Sequence, residues 1–102
     1  VIIVDDEVDT GSSIAQAVNI VKQKGARDVY LVFVHAVLSN DGAERLASLP
    51  IKQIITTDTA PVSPEKMKHL EGRITVLSVA SLLGEVIIRA HEGRSVGEMF
   101  NE

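Results

Sequence analysis

The first thirteen residues constrain this chain more than any other stretch. An apolar run, Val1-Ile2-Ile3-Val4, leads into four carboxylates within five positions, Asp5, Asp6, Glu7 and Asp9, and then into Thr10-Gly11-Ser12-Ser13. A short, continuous β-branched run reads as a strand buried on both faces. The acids that follow read as a polar loop from Asp5 to about Ser12. Beyond it Ile14, Ala17, Val18 and Val21 recur at i, i+3, i+4 and i+7, the apolar stripe of an amphipathic helix. Lys22 and Lys24 suit its negative C-terminal end, and Gly25 reads as the cap residue with positive φ.

The same alternation continues along the chain. Val29 to Val34 reads as a second buried strand ending at His35. Asp41 with Glu44 forms a capping-box pattern that opens a short helix through about Ser48, closed by Pro50. Ile51 to Thr57 is a third strand. Ser63-Pro64-Glu65 supplies N-cap, N1 proline and first-turn acid for a short helix that stops near Gly72. Arg73 to Val79 is a fourth strand, and Leu83, Val86, Ile87 and Ala90 stripe a last helix ending around Gly93. Repeats, linkers and low-complexity stretches are absent. The order β-α-β-α-β-α-β-α with short connections predicts an α/β fold, a parallel sheet with helices on both faces. Ligands of such sheets sit beyond the carboxyl ends of the strands. That edge should gather Asp5–Ser13, His35–Asn40, Asp58–Ser63 and Val79–Ser81.

Composition narrows the function classes. At 102 residues the chain is one domain by length, and 45% hydrophobic with 24% charged residues is ordinary for a soluble globular protein. No apolar run approaches the ~18 residues of a membrane span, and no basic leader with an apolar stretch is visible. The expected location is cytoplasmic, with no membrane partner. Cysteine is absent, which excludes thiolate catalysis, disulfides and Cys-ligated zinc. A formal charge of −4 and only three aromatics, Tyr30, Phe33 and Phe100, argue against a nucleic-acid partner. The chain opens at Val1 rather than Met, directly in a strand-like run, so it is expected to be part of something longer.

The acidic segment and its neighbour suit two halves of one ligand. Free backbone N–H groups at a helix N-terminus, with the helix macrodipole, favour a phosphate. Gly11 allows close approach, while Thr10, Ser12 and Ser13 add hydroxyl donors. Carboxylates cannot hold an anion; they suit Mg²⁺ or the hydroxyls of a sugar. A sugar phosphate satisfies both halves.

Two families share such an opening. The response-regulator receiver domain also begins with an apolar strand and an acidic pair that binds Mg²⁺, and Asp58 falls at the end of the third strand as its phosphorylated aspartate would. A receiver, however, carries a lysine, usually followed by proline, after its fifth strand. Here no lysine follows Lys68, Pro64 is the last proline, and Asp9-Thr10-Gly11-Ser12-Ser13 has no place in that family.

The second resemblance is to the phosphoribosyl family, whose signature of four apolar residues, two acids, two variable positions and Asp-Thr-Gly is similar to Val1–Ser13. Within it, the remainder resembles the C-terminal part of ribose-phosphate pyrophosphokinases (phosphoribosyl pyrophosphate synthetases). Gly25-Ala26-Arg27-Asp28-Val29-Tyr30 and Thr57-Asp58-Thr59-Ala60-Pro61 resemble their strand-entry and Thr-Asp/Asn-Thr-Ile-Pro segments. Leu77–Ile87, His91-Glu92-Gly93-Arg94-Ser95-Val96 and Phe100 resemble their last helix and tail. Three features depart: Ser12-Ser13 replace Gly-Thr, Val34-His35-Ala36 replaces Thr-His-Gly, and Glu7 stands at a usually apolar position, where it reads as a solvated loop charge.

The resemblance implies a type I phosphoribosyltransferase-like fold, with residues 1–102 as a C-terminal domain of a longer synthetase chain. It implies transfer of diphosphate from MgATP to the 1-hydroxyl of ribose 5-phosphate, with ATP as co-substrate and Mg²⁺ as cofactor. Asp5 and Asp6 would bind the ribose hydroxyls and help place Mg²⁺. Asp9 would face the sugar as a catalytic proton acceptor, and Thr10, Gly11, Ser12 and Ser13 would hold the 5-phosphate. Ser95 matches a regulatory position. The family's ATP residues lie outside this stretch, so the 102 residues alone are expected to bind ribose 5-phosphate weakly and not to catalyse; a homo-oligomer is the family-level expectation. Arg27, Arg73 and Arg89 read as surface charges, His35 as a hydrogen-bonded structural histidine, His69 and His91 as solvated, and Asp58 as a loop-ordering residue. The competing readings are a non-catalytic synthetase-associated regulator and a phosphoribosyltransferase.

Overall fold

Parallel pairing is what short strands separated by helical crossovers can form, and a computed structural model, which describes residues 1–100, shows it. Strands β1 (Ile2–Val8), β2 (Tyr30–Ala36), β3 (Gln53–Thr57) and β4 (Ile74–Leu77) make one sheet in the order β1-β2-β3-β4. Every neighbouring pair is parallel, with Val4 opposite Val32, Leu31 opposite Ile54 and Thr57 opposite Leu77. Between and after them run α1 (Ser12–Gln23), α2 (Gly42–Ser48), α3 (Pro64–His69) and α4 (Ala80–Glu92), then a 3-10 turn over Gly97–Phe100. All eight expected elements are present in the expected order.

The core lies on one side of the sheet. Leu31, Phe33 and Ile54 from the strands pack with Ile14 and Val18 of α1, Leu46 of α2 and Leu70, each nearly or fully buried. Ala17 and Val21 complete the α1 stripe at partial burial. Along each strand, side chains alternate between faces. The opposite face therefore carries Ile2, Val4, Val34 and Leu77, which are 65%, 73%, 42% and 55% exposed. This corrects the expectation of a first strand buried on both faces; α1 and α2 pack on the core face, while the opening of α4 lies against Val34 of the other. Each strand is added on the same side of its predecessor, and right-handed crossovers then deliver successive helices to one face. β1 is consequently an edge strand with one bare face.

Helix α4 behaves differently from the other three. Its apolar stripe is intact in sequence, yet none of its residues is buried, and Leu83 and Ile87 are 55% and 68% exposed. Only its opening lies beside the sheet, where Val79, Ala80, Leu82 and Leu83 share a cleft with Val34, Asp58 and Thr59. The radius of gyration, 16.2 Å, exceeds the ~13 Å of a compact chain this long, as an outstretched helix requires.

Caps follow the sequence in part. Ser63 caps α3, its hydroxyl accepting from the Lys66 N–H at 3.4 Å, with Pro64 at the first helical position. Gly25 has φ +96° as expected. Asp41, by contrast, makes no side-chain cap to α2, so the capping box with Glu44 does not form. Glu44 instead lies 3.6 Å from His69 of α3.

Candidate sugar-phosphate site

The acidic run folds as strand. β1 continues through Asp5, Asp6 and Glu7 to Val8, with Asp5 opposite Phe33 and Glu7 opposite His35, so the expected loop shrinks to Asp9, Thr10 and Gly11. Edge position makes this feasible, because the side chains still reach solvent. The main chain there is tied locally: Asp5 Oδ1 accepts the Asp6 N–H and Asp6 Oδ1 accepts the Glu7 N–H, both at 2.8 Å.

At Gly11 the chain turns into α1. Its φ of +82° and ψ of 4° are left-handed, a conformation that costs an L-residue roughly 1–2 kcal/mol. This cap offers no side chain to the helix, and the first turn holds no acid. The Thr10 and Ser12 hydroxyls are hydrogen-bonded to each other at 3.1 Å. A helix mouth with uncapped N–H groups and flanking hydroxyls is suited to an anion.

These two halves meet in one cleft of about 260 Å³, lined by Asp5, Asp6, Glu7, Asp9, Thr10, Gly11, Ser12, Ser13 and Ile14. All seven residues expected at the site line it. Glu7, expected to be a solvated loop charge, lines it as well. Crowded carboxylates ordinarily raise one another's pKa, but Asp6 is held below the usual carboxylate range. A side-chain hydrogen bond shared with Asp5 contributes most, the Glu7 N–H next, and attraction to His35 least.

The Asp9–Gly11 turn is braced by the loop that follows β2 and by α2. Asp9 Oδ1 accepts both the backbone N–H of Ser39, at 3.2 Å, and the Ser39 hydroxyl. Val8 O accepts the N–H groups of Val37 and Leu38 at 3.1 and 3.0 Å. Leu38 and Asn40 hold φ of +47° and +51°, and Leu38, fully buried, is further fixed by Lys66 Nζ donating to its carbonyl at 2.8 Å. Gly42 backs directly onto the Asp9 carbonyl, leaving no room for a Cβ. Arg45 lays its stem beside Gly11 and donates from Nη1 to Thr10 O at 3.0 Å. Sequence reasoning placed Ser39, within His35–Asn40, on the same edge without giving it a role, and missed Gly42 and Arg45. A glycine opening a helix is the one signal of close approach it could have used.

Other singled-out residues lie elsewhere. His35 Nδ1 and Thr59 Oγ1 are 2.7 Å apart, and Thr57 and Thr59 both donate to Val34 O, so His35 is hydrogen-bonded as expected. Asp58 Oδ1 accepts the Val79 N–H at 2.9 Å, ordering the entry to α4 as expected. That bond, followed by one from the Ser78 hydroxyl, holds the Asp58 carboxyl below its ordinary value. Arg27 is exposed, but two arginines expected at the surface are structural. Arg73 donates to the carbonyls of Ala47, Leu49 and Ile51, and Arg89, with a side chain 14% exposed, joins Glu85, Glu98 and Ser95 O. Ser95 is thus on the tail, outside the cleft.

With this geometry, residues 1–101 match the family described as the phosphoribosyl synthetase-associated domain. The chain belongs to that family. Among curated proteins, this phosphoribosyl synthetase-associated domain is similar to the ribose-phosphate pyrophosphokinase of Oceanobacillus iheyensis, at 42% identity over 100 residues. The match takes in 98% of this chain and 31% of that protein. Ribose-phosphate pyrophosphokinase 1, chloroplastic, of Arabidopsis thaliana is 41% identical over 99 residues, 97% of this chain and 24% of its own length. The fold matches the crystal structure of phosphoribosylpyrophosphate synthetase from Mycobacterium smegmatis with a TM-score of 0.84 and 39% identity. That alignment covers 90% of this chain and 30% of the other. The domain therefore spans less than a third of the length of these relatives.

Proposed function

We propose that this domain supplies the ribose 5-phosphate site of a ribose-phosphate diphosphokinase, in which the β,γ-diphosphate of MgATP passes to the 1-hydroxyl of ribose 5-phosphate to form phosphoribosyl pyrophosphate and AMP. The observation that carries the reading is the shared cleft: carboxylates of Asp5, Asp6 and Asp9 abut the uncapped mouth of α1 at Thr10–Ser13. The relatives, ribose-phosphate pyrophosphokinases, support the same chemistry. In this reading residues 1–102 are a C-terminal, type I phosphoribosyltransferase-like part of a longer cytoplasmic, homo-oligomeric synthetase, inactive alone. This reading gives it neither a membrane nor a nucleic-acid partner. The described residues contain no helix long and apolar enough to cross a membrane.

In the proposed reaction the sugar's anomeric oxygen bonds to the β-phosphorus as the bond from that phosphorus to the α–β bridging oxygen breaks. AMP leaves with the electron pair, and the hydroxyl proton passes to a carboxylate. Asp9 is the carboxylate offered for this, through Oδ2, because Oδ1 is engaged by Ser39. Asp5 and Asp6 accept from the ribose hydroxyls, while Thr10, Gly11, Ser12 and Ser13 orient the 5-phosphate. Orientation of this kind is the main contribution a protein makes to phosphoryl transfer.

Hard carboxylate oxygens at Asp5 and Asp6 also fit Mg²⁺. Among the described residues no group of three or more His, Cys, Asp or Glu side chains is suited to a metal by itself. The pair accordingly fits a Mg²⁺ completed by substrate oxygens, where it would neutralise phosphate charge. Titrating ribose 5-phosphate against the wild type, Asp6→Asn and Thr10→Ala tests the assignment. Each substitution should weaken binding by roughly tenfold, the order of one charge-assisted hydrogen bond. Unchanged affinity in both would remove the assignment.

A further inference from the structure

We infer that Arg45 is a positioning residue of this cleft, holding the Thr10–Gly11 turn in the conformation that opens the α1 mouth to a phosphate. The inference rests on the sugar-phosphate reading of the cleft and adds a residue outside its lining.

The geometry has two parts. The atoms nearest to a Cβ added at Gly11 would be those of the Arg45 stem, with Cδ, Cγ and Cβ at 3.6, 3.7 and 3.8 Å. The stem therefore lies alongside the turn, about one methyl group's width from Gly11. The guanidinium then donates from Nη1 to Thr10 O at 3.0 Å, fixing the peptide that precedes Gly11. The bond bears on the peptide plane before the left-handed residue, whose φ of +82° turns the chain into α1. The bond joins residues 35 apart and fixes the turn ahead of a helix that has no side-chain cap, while its N–H groups stay free.

The bond partner is informative. Four carboxylates line the adjacent cleft, yet Arg45 makes no ion pair with any of them among the described residues. Its hydrogen bond goes to a main-chain carbonyl, so the acids stay available to a ligand. Arg45 lies on the exposed side of α2, its cationic head beside an anion-receptive mouth. A guanidinium has five donors, so one spent on Thr10 leaves the others for solvent or ligand oxygens.

The test uses the 102-residue chain with Arg45→Met, which keeps the stem and removes the guanidinium, and Arg45→Lys, which restores a charged donor. Amide hydrogen exchange at Ala15, whose N–H closes the first turn of α1 on Gly11 O at 2.9 Å, is measured without ligand, and ribose 5-phosphate and ribose are then titrated. Arg45→Met should raise exchange at that amide roughly tenfold, the order of one lost hydrogen bond, and leave the β2 and β3 amides unchanged. It should weaken ribose 5-phosphate by a similar factor with ribose unaffected, and Arg45→Lys should recover part of both. Unaltered exchange at Ala15, or exchange raised across the whole sheet, overturns the inference whatever the ligands do. Failure of the wild type to bind ribose 5-phosphate would instead strike the sugar-phosphate reading, while the exchange data still decide what Arg45 does to the turn.

Discussion

Gly42 sits with its Cα against the carbonyl oxygen of Asp9, so that a Cβ added to it would lie under 3.0 Å from that oxygen. The start of α2 and the acidic turn after β1 are thereby locked at a separation only glycine permits. The atom in the way is main chain and cannot swing aside.

Gly42→Ala should therefore push the Asp9 turn away from α2. Overpacking of this kind costs typically 1–3 kcal/mol. For a domain this size the expected thermal midpoint falls by roughly 4–8 °C per kcal/mol, read by circular dichroism. Ribose 5-phosphate affinity should fall with it. A midpoint within a degree of wild type would show that the contact relaxes freely.

Gly11→Ala tests backbone strain without a clash, since the neighbouring Arg45 stem lies at ordinary contact distance. At φ +82° the added Cβ should destabilise by roughly 1–2 kcal/mol, and Gly11→Asn by less, because Asn tolerates the left-handed region. Equal stability of the two variants in urea would contradict the strain account.

Much of the fold was legible in the sequence because periodicity reports burial directly. The spacing of Ile14, Ala17, Val18 and Val21, and the runs at Val29–Val34 and Ile51–Thr57, each mark an element that exists. What was not legible depends on neighbours. The run Asp5–Glu7 reads as loop by composition, yet forms strand because β1 is an edge with one solvated face. Leu83 and Ile87 look like core, but nothing among the described residues covers them. The cleft itself was legible, since Asp5–Ser13 are contiguous. Its braces were not: Ser39, Gly42 and Arg45 reach it from about thirty residues away.

Arg73 is the next long-range brace, and its three carbonyl partners lie around the α2–β3 connection. Arg73→Met keeps the stem and leaves those acceptors without their donor. Unmade hydrogen bonds at a half-buried site cost about 1–3 kcal/mol, so the urea midpoint should drop accordingly. An unchanged midpoint would mean water replaces the guanidinium at no cost.

Acid should loosen the entry to α4. The Asp58 carboxyl is held below its ordinary value first by the Val79 N–H and then by the Ser78 hydroxyl. A carboxyl depressed in the folded state stabilises above its unfolded pKa of about 3.9 and loses that contribution as pH falls through the folded value. Protection of the Val79 amide should thus decline on acidification below about pH 4. In Asp58→Asn that titration should vanish; an identical pH profile in the variant would exclude Asp58 as its source.

The central claim is that one cleft binds the two ends of a single ligand. Its most direct measurement is a parallel titration of the 102-residue chain with ribose, inorganic phosphate and ribose 5-phosphate, followed by backbone amide shifts. Ribose 5-phosphate should bind more tightly than either piece, moving Asp5, Asp6 and Glu7 together with Gly11, Ser12 and Ser13. Affinity no greater than that of free phosphate, with shifts confined to one half of the cleft, would contradict it.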